Sequence, residues 1–296
     1  MEYNFNNAFS EYHPIVNFMY FCIVIIFSMI FKQPVLLMIS IIASFSYSTI
    51  LNGIKAIKFN LYFLLPMFFV VIILNPFFSH KGITILFYIN NKPITLEAFI
   101  YGVIMAMMLV SMTMWFSCYN KIIASEKIIY IFSRTIPTIS LMLSMTLSFV
   151  PRFKVQIKKI RTSQRNIGRD INSGGVYKKI QNGCKIISIL ITWALENGVQ
   201  TADSMRARGY GLSGRTHFSI YRIERRDKIS LMILLIVSGI CLLGYIGNKV
   251  TMQIYPYIKI NEVGITDYII YLSYGLLTFF PIIVEIVEEL RWKLLK

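Results

Sequence analysis

The run from Phe59 to Phe78 contains no charged residue, and as a helix rising 1.5 Å per residue it reaches across the roughly 30 Å hydrocarbon core of a bilayer. Few features constrain a chain more. Inside lipid the backbone must satisfy its own hydrogen bonds, so a spanning segment is a helix or a strand of a closed barrel. Comparable apolar runs recur at Ile15 to Phe31, Val35 to Ile50, Ala98 to Tyr119, Ile229 to Gly247 and Tyr268 to Val284. In a chain that is 56% hydrophobic and 15% aromatic, these runs exclude an ordinary soluble domain. The expected fold is all-α, a polytopic membrane helical bundle. Residues 1–125 supply about four spans, residues 126–228 a polar and basic region, and residues 229–296 about two more spans.

The first two runs are short for a crossing and are separated by Lys32-Gln33-Pro34. They are expected to form a helical hairpin with some tilt or local thinning of the bilayer. No Lys or Arg precedes the first run, so it lacks the basic n-region of a signal peptide and is expected to remain as a span. Pro66 and Pro76 are tolerable kinks within a membrane helix. Gly82 to Thr95 places two β-prone runs around Asn90-Asn91, the pattern of a small hairpin or a surface loop. Glu97 and Asp267 fall at span ends, which leaves no charge within the spans to mark a substrate path.

Charge is unevenly distributed. From Arg152 to Lys228 there are seventeen Lys and Arg against five Asp and Glu, so this window holds +12 of the net +16. Excess Lys and Arg between spans places a segment on the cytoplasmic side. With Lys55, Lys58, Lys121 and Lys127 also on that side, four crossings put the N-terminus and the basic window inside. The last two spans then enclose an exterior loop, Asn248 to Asp267, and Arg291, Lys293 and Lys296 fit a cytoplasmic C-terminus.

Within the window, Glu126 to Arg134 reads as a short amphipathic helix ended by Pro137. Thr138 to Val150 is apolar but too short to cross, and is expected to lie partly embedded. Pro151 suits the first turn of a new helix, in which Phe153, Ile157, Ile160 and Ile167 form a stripe opposite Lys154, Lys158, Lys159, Arg161 and Arg165. After a turn at Asn172-Ser173-Gly174-Gly175, apolar residues at Ile180, Cys184, Ile187, Ile191, Ala194, Leu195, Val199, Ala202 and Met205 mark a long helix. Ile186 to Leu195 is apolar nearly all round, so that part must be buried in protein or bilayer. Gly209 stops the helix, and Arg206 and Arg208 favour its partially negative end. Ser163-Gln164-Arg165-Asn166-Ile167-Gly168 and Ser204-Met205-Arg206-Ala207-Arg208-Gly209 are thus two basic helix ends closed by glycine.

Catalytic and metal chemistry find little support. Cys22, Cys118, Cys184 and Cys241, like His13, His80 and His217, are scattered without ligand spacing, so no metal site and no cofactor site follows. There is no Gly-x-x-x-x-Gly-Lys-Ser/Thr loop to bind ATP, no recognisable Ser/His/Asp set, and no His-Glu-x-x-His helix. Glu285, Glu288 and Glu289 cluster where the last span ends, as residues facing the interface or a basic neighbour do. The residues alone leave three readings: a coupling subunit, a membrane enzyme using scattered carboxylates, and a membrane anchor whose basic loop binds anionic lipid or nucleic acid.

Arg134-Thr135-Ile136-Pro137, Ser148-Phe149-Val150-Pro151-Arg152-Phe153, and above all Arg206-Ala207-Arg208-Gly209-Tyr210-Gly211 followed by Gly214-Arg215-Thr216 carry a resemblance. From the early spans through Lys228 the chain resembles the transmembrane T component of energy-coupling factor transporters, the CbiQ-like family of vitamin and metal-ion importers. The resemblance implies two cytoplasmic coupling helices, each ending in an Ala-Arg-Gly-like signature that docks on one of two ABC-type ATPase subunits. It also implies a separate membrane-embedded S component that selects the substrate, a bilayer location in a prokaryotic plasma membrane, and no nucleic-acid partner. Arg206, Ala207, Arg208 and Gly209 match the second signature. The first is degenerate, since Asn166-Ile167-Gly168 stands where Ala-Arg-Gly is expected, and Arg165 or Arg169 then takes the arginine's role beside Gly168. The extra final span exceeds the shortest family pattern.

Overall fold

A computed structural model describes residues 7–79, 82–89, 92–170, 175–212, 221–247, 252 and 264–294. Its helices are α1 (Pro14–Ile30), α2 (Pro34–Asn52), α3 (Ile54–Phe59), α4 (Leu65–Phe78), α5 (Leu96–Ile122), α6 (Ser125–Thr135), α7 (Pro137–Asn166), α8 (Val176–Ala207), α9 (Arg225–Ile246) and α10 (Ile265–Leu294). A π-turn, Asn60–Leu64, joins α3 to α4. The only strands among the described residues, β1 (Ile85–Ile89) and β2 (Lys92–Thr95), pair antiparallel. The all-α membrane bundle is therefore what these residues form, and the hairpin sits where two β-prone runs flank Asn90-Asn91. That turn itself, Asn172-Ser173-Gly174 of the turn expected before α8, the Gly214-Arg215-Thr216 stretch and most of the 248–267 loop lie outside the described residues.

The chain divides into two compact units, Met1–Ile128 with Tyr221–Lys296, and Ile129–Ile220. In the first unit five helical segments are long and apolar enough to cross a membrane: α2, Ala56–Phe78, α5, α9 and α10. The sixth apolar run forms α1, which at 17 residues extends only about 26 Å. The third run is not one regular helix, because its i→i+5 turn at Asn60–Leu64 interrupts it.

Trp115 explains why the bundle closes. It is fully buried, its Nε1 donates to Ser40 Oγ at 2.9 Å, and Ser40 in turn lies 2.6 Å from Ser111 Oγ. A buried indole N–H without a partner would be costly, and here two serines of α2 and α5 complete the network. Tyr20 and Phe21 of α1 meet the same indole edge-on, and the Tyr20 hydroxyl donates to the Thr278 carbonyl of α10 at 3.2 Å. Small residues let other helices approach. A Cβ at Gly244 would collide with the Ile270 side chain, so α9 and α10 meet through a glycine, as membrane helices often do.

One end of this unit is fastened by polar groups. The backbone N–H of His13 donates to Asp227 Oδ1 at 3.2 Å, while Asp227 Oδ2 accepts from the Glu224 backbone at 3.0 Å in the capping box of α9. Lys127 Nζ donates to the Ser10 carbonyl at 2.6 Å, and burial lowers its pKa from the usual lysine range. At the α4–α5 junction, Thr84 N–H donates to both carboxylate oxygens of the buried Glu97. Asn75 Nδ2 donates to the Ala98 carbonyl at 2.7 Å.

The second unit departs from the sequence reading at one point. Pro151 does not begin a helix: it lies inside α7, which runs unbroken from Pro137 to Asn166. Pro151 has no N–H to donate to the Leu147 carbonyl, yet the residues on both sides of it remain helical. Thr146 and Ser148 hydroxyls bond back to the carbonyls of Met142 and Met145 in the turns before it. The apolar stretch 138–150 is thus the first half of a long helix whose second half is basic. Pro137, in contrast, occupies the first turn of α7 and divides it from α6 as expected.

Candidate functional site

The second unit is built around α7 and α8, which meet where Phe153 packs edge-on against Trp193 at 5.8 Å. Phe153 belongs to the stripe read from sequence; Trp193 falls between the stripe positions of α8 and was missed. Ile160 and Ile186 are buried, and Asn182 Nδ2 donates to the Asp170 carbonyl at 3.1 Å, tying the start of α8 to the end of α7. The α8 stripe is otherwise open. Ile187, Ile191, Leu195 and Val199 are all more than half exposed, so among the described residues of this unit nothing supplies the cover that their periodicity calls for.

The end of α7 therefore lies beside the beginning of α8, whereas the end of α8 projects beyond the crossing. From Phe153 to Asn166 and from Trp193 to Ala207 each arm extends on the order of 20 Å. The two glycine-closed ends are not brought together. They are the tips of separate arms.

Both tips close in the same way. Gly168 has φ 78° and Gly209 φ 77°, the left-handed conformation that glycine adopts without a Cβ penalty. Gly168 N–H donates to Arg165 O and Arg169 N–H to Gln164 O, both at 2.9 Å; Gly209 N–H donates to Arg206 O and Tyr210 N–H to Met205 O, both at 3.0 Å. These are paired Schellman bonds, which satisfy the last carbonyls of a helix. The degenerate first signature has the same backbone as the intact second one.

Superposing the caps by position separates their arginines. Arg165 corresponds to Arg206, each two residues before its C-cap, and Ile167 occupies the place of Arg208. Arg165 is engaged locally, its Nε 3.8 Å from Asp170 Oδ2, a partner the sequence reading did not identify. Arg206, Ala207 and Arg208 are exposed, and among the described residues neither arginine has a carboxylate within ion-pair distance. A guanidinium held at a rigid helix end offers a planar fork of donors, suited to a carboxylate on another molecule.

The CbiQ family, described as cobalt transport proteins, matches residues 10–218. An energy-coupling factor transporter transmembrane protein EcfT from Staphylococcus aureus is 26% identical over 219 residues, covering 68% of this chain and 82% of that protein. The EcfT protein of Lactobacillus helveticus is 32% identical over 114 residues, 38% of this chain and 41% of the relative, and that of Lacticaseibacillus paracasei is 31% identical over 106 residues, 36% and 40% respectively. The chain spans about two fifths of the length of these last two relatives. Matching from the first apolar helix through the tip of α8, and carrying five helices able to cross a membrane, this multi-pass membrane protein belongs to the CbiQ family.

Proposed function

We propose that the chain is the T component of an energy-coupling factor importer, and that it passes ATP-driven motion of two ABC-type ATPase subunits to an S component that binds a vitamin or a metal ion. In this reading residues 126–228 face the cytoplasm of a prokaryotic cell, and the spans of 1–125 and 229–296 hold them at the membrane. The chain hydrolyses nothing itself; ATP is consumed in the partner subunits. The family and the EcfT relatives support the reading. The observation that carries it is the Ala207-Arg208-Gly209 tip, in which Ala207 and Arg208 are exposed and Arg208 has no carboxylate within ion-pair distance among the described residues.

Mechanically, α7 and α8 act as crossed levers. Each is a continuous helix that ends in a Schellman cap, α7 lacking the one bond that Pro151 cannot donate, and each tip occupies one ATPase subunit. Closure of the two ATPases around nucleotide moves the tips relative to one another and changes the crossing angle at Phe153–Trp193. The apolar faces carried by the same helices then present a different surface to the S component.

Arg208 provides the test. A cap that needs only positive charge near the helix end gains roughly 0.3 to 1 kcal/mol from it, and lysine keeps that gain. A bidentate contact to a partner carboxylate needs the planar fork, which lysine lacks. Arg208→Lys and Arg208→Ala are compared for ATPase co-purification and substrate uptake at equal amounts of inserted protein. Both are expected to lose docking and uptake. Lysine behaving like wild type would refute bidentate docking at this tip.

A further inference from the structure

A groove of about 520 Å³ opens between α2, α4 and α5 in the first unit, walled by side chains such as Met38, Phe45, Phe68, Met107 and Met114. Asn60 is the one polar side chain lining it among the described residues. It is only 5% exposed, and its Nδ2 has no hydrogen-bond partner. A buried amide donor left unpaired is costly, and native proteins seldom keep one without a use. The local backbone is unusual as well. Asn60 begins the π-turn that interrupts this span, and Asn60, Leu61 and Leu64 of that turn all line the groove; such turns are frequent at functional sites.

Size, depth and charge agree on one occupant. A methylene takes up about as much room as a water in the liquid, roughly 30 Å³, so the groove holds on the order of 17 of them, the length of one membrane acyl chain. Asn60 lies four residues into the span that starts at Ala56, or about 6 Å along its axis. That is close to the edge of the hydrocarbon core, where the ester carbonyls of phospholipids sit, while the apolar wall continues toward its centre. The exposed Lys58 in α3, two residues before Asn60, favours an anionic headgroup above it. We propose that this groove binds one acyl chain of a phospholipid, whose ester carbonyl accepts a hydrogen bond from Asn60 Nδ2.

The test compares two phosphatidylglycerol probes with the same photoactivatable acyl-type chains, one diester and one diether, in nanodiscs containing the full chain. Bulk lipid labels every lipid-facing surface with either probe, but only the diester has the carbonyl that Asn60 requires. Groove peptides of α2, α4 and α5 are expected to label several-fold more with the diester, about the fivefold that one hydrogen bond confers. Lipid-facing peptides of α9 show no such preference. Asn60→Leu abolishes the preference, and Met107→Trp, which fills the groove, removes its labelling by both probes. Equal labelling by diester and diether in the wild-type protein overturns the proposal, as does a preference that survives Asn60→Leu. The measurement is repeated in the native membrane, where partner helices are present. Persistence of the diester preference there supports the lipid site, whereas protection of the groove from both probes assigns it to a protein helix and overturns the proposal.

Discussion

Ile236 in the middle of α9 and Leu195 in α8 are similarly exposed, at 58% and 67%, yet the equality hides opposite conditions. Ile236 lies in a helix apolar enough to cross a membrane, where an exposed apolar side chain meets lipid. Leu195 lies in a helix that carries Glu196 and Asp203 and ends in arginines, where on the proposed reading an exposed apolar stripe meets a partner protein. The first unit holds itself together around Trp115 and Tyr20; the second is two long helices that bury few apolar side chains among the described residues. Exposure therefore has to be read against the surrounding solvent, and large exposed apolar faces outside lipid mark interaction sites.

The largest expected effect tests the core of that contrast. Trp115→Ala removes a fully buried indole and leaves Ser40 and Ser111 bonding across a cavity, at a cost of about 3 to 5 kcal/mol. The variant is expected to lose most of its folded, detergent-stable population in a thermal melt. Trp193→Ala is expected to melt close to wild type, because Trp193 is only half-buried, but to impair uptake by loosening the crossing. A melt in which Trp193→Ala is the more damaging change would show that α7 and α8 have the stronger core.

Next in size is a matched pair of lysines. Ile236→Lys places a charge near the centre of a span and costs about 2.5 to 3.5 kcal/mol of insertion free energy, so the amount of inserted protein falls. Leu195→Lys is expected to leave insertion and stability within about 0.5 kcal/mol of wild type, as surface changes usually do, while reducing association with partner proteins. Insertion is read by protease protection and association by co-purification. Equal insertion defects would place α8 in the bilayer and erase the comparison.

How far the sequence made this legible depends on which force sets each feature. Hydropathy and length identify the spans, because lipid leaves a backbone so few choices, and Pro137 and Gly209 end helices for reasons written in their own covalent structure. Pro151 misleads because its rule is a preference and not a prohibition: the ring favours a helix start, yet here it sits in mid-helix at the cost of a backbone hydrogen bond. The first tip shows the other limit. Asn166-Ile167-Gly168 looks degenerate as side chains, but the backbone cap depends on Gly168 alone and is intact. Asp170 beside Arg165, Trp193 against Phe153 and the unpaired amide of Asn60 depend on which neighbours folding supplies, and no spacing in the chain announces them.

The two tips give the third comparison. Arg165→Ala removes an exposed pair with Asp170 worth at most about 1 kcal/mol, and leaves a tip whose cap position is already Ile167. Arg208→Ala removes the fork from the tip that bears the full signature. Transport assays at matched expression are expected to show a clear loss for Arg208→Ala and a smaller one for Arg165→Ala. The reverse order would move the principal contact to the α7 tip.

The smallest effect separates backbone from docking at the same two tips. Gly168→Ala and Gly209→Ala each force a Cβ into the left-handed region, at φ 78° and 77°, and the backbone penalty is the same roughly 1 kcal/mol at both. A Cβ at Gly168 meets nothing within 4 Å, while one at Gly209 comes to 3.2 Å from Leu212 Cδ1, a contact the flexible leucine relieves by a small shift. In the isolated protein, hydrogen exchange at the Schellman donors Arg169 and Tyr210 is therefore expected to quicken to a similar extent, about fivefold for 1 kcal/mol. In the assembled transporter the two variants diverge if the α8 tip is the one held in a partner's groove, since only there does the added methyl also enter an interface. Similar exchange with unequal uptake separates docking from capping; similar exchange with equal uptake would make the tips interchangeable and leave Arg208 without its special role.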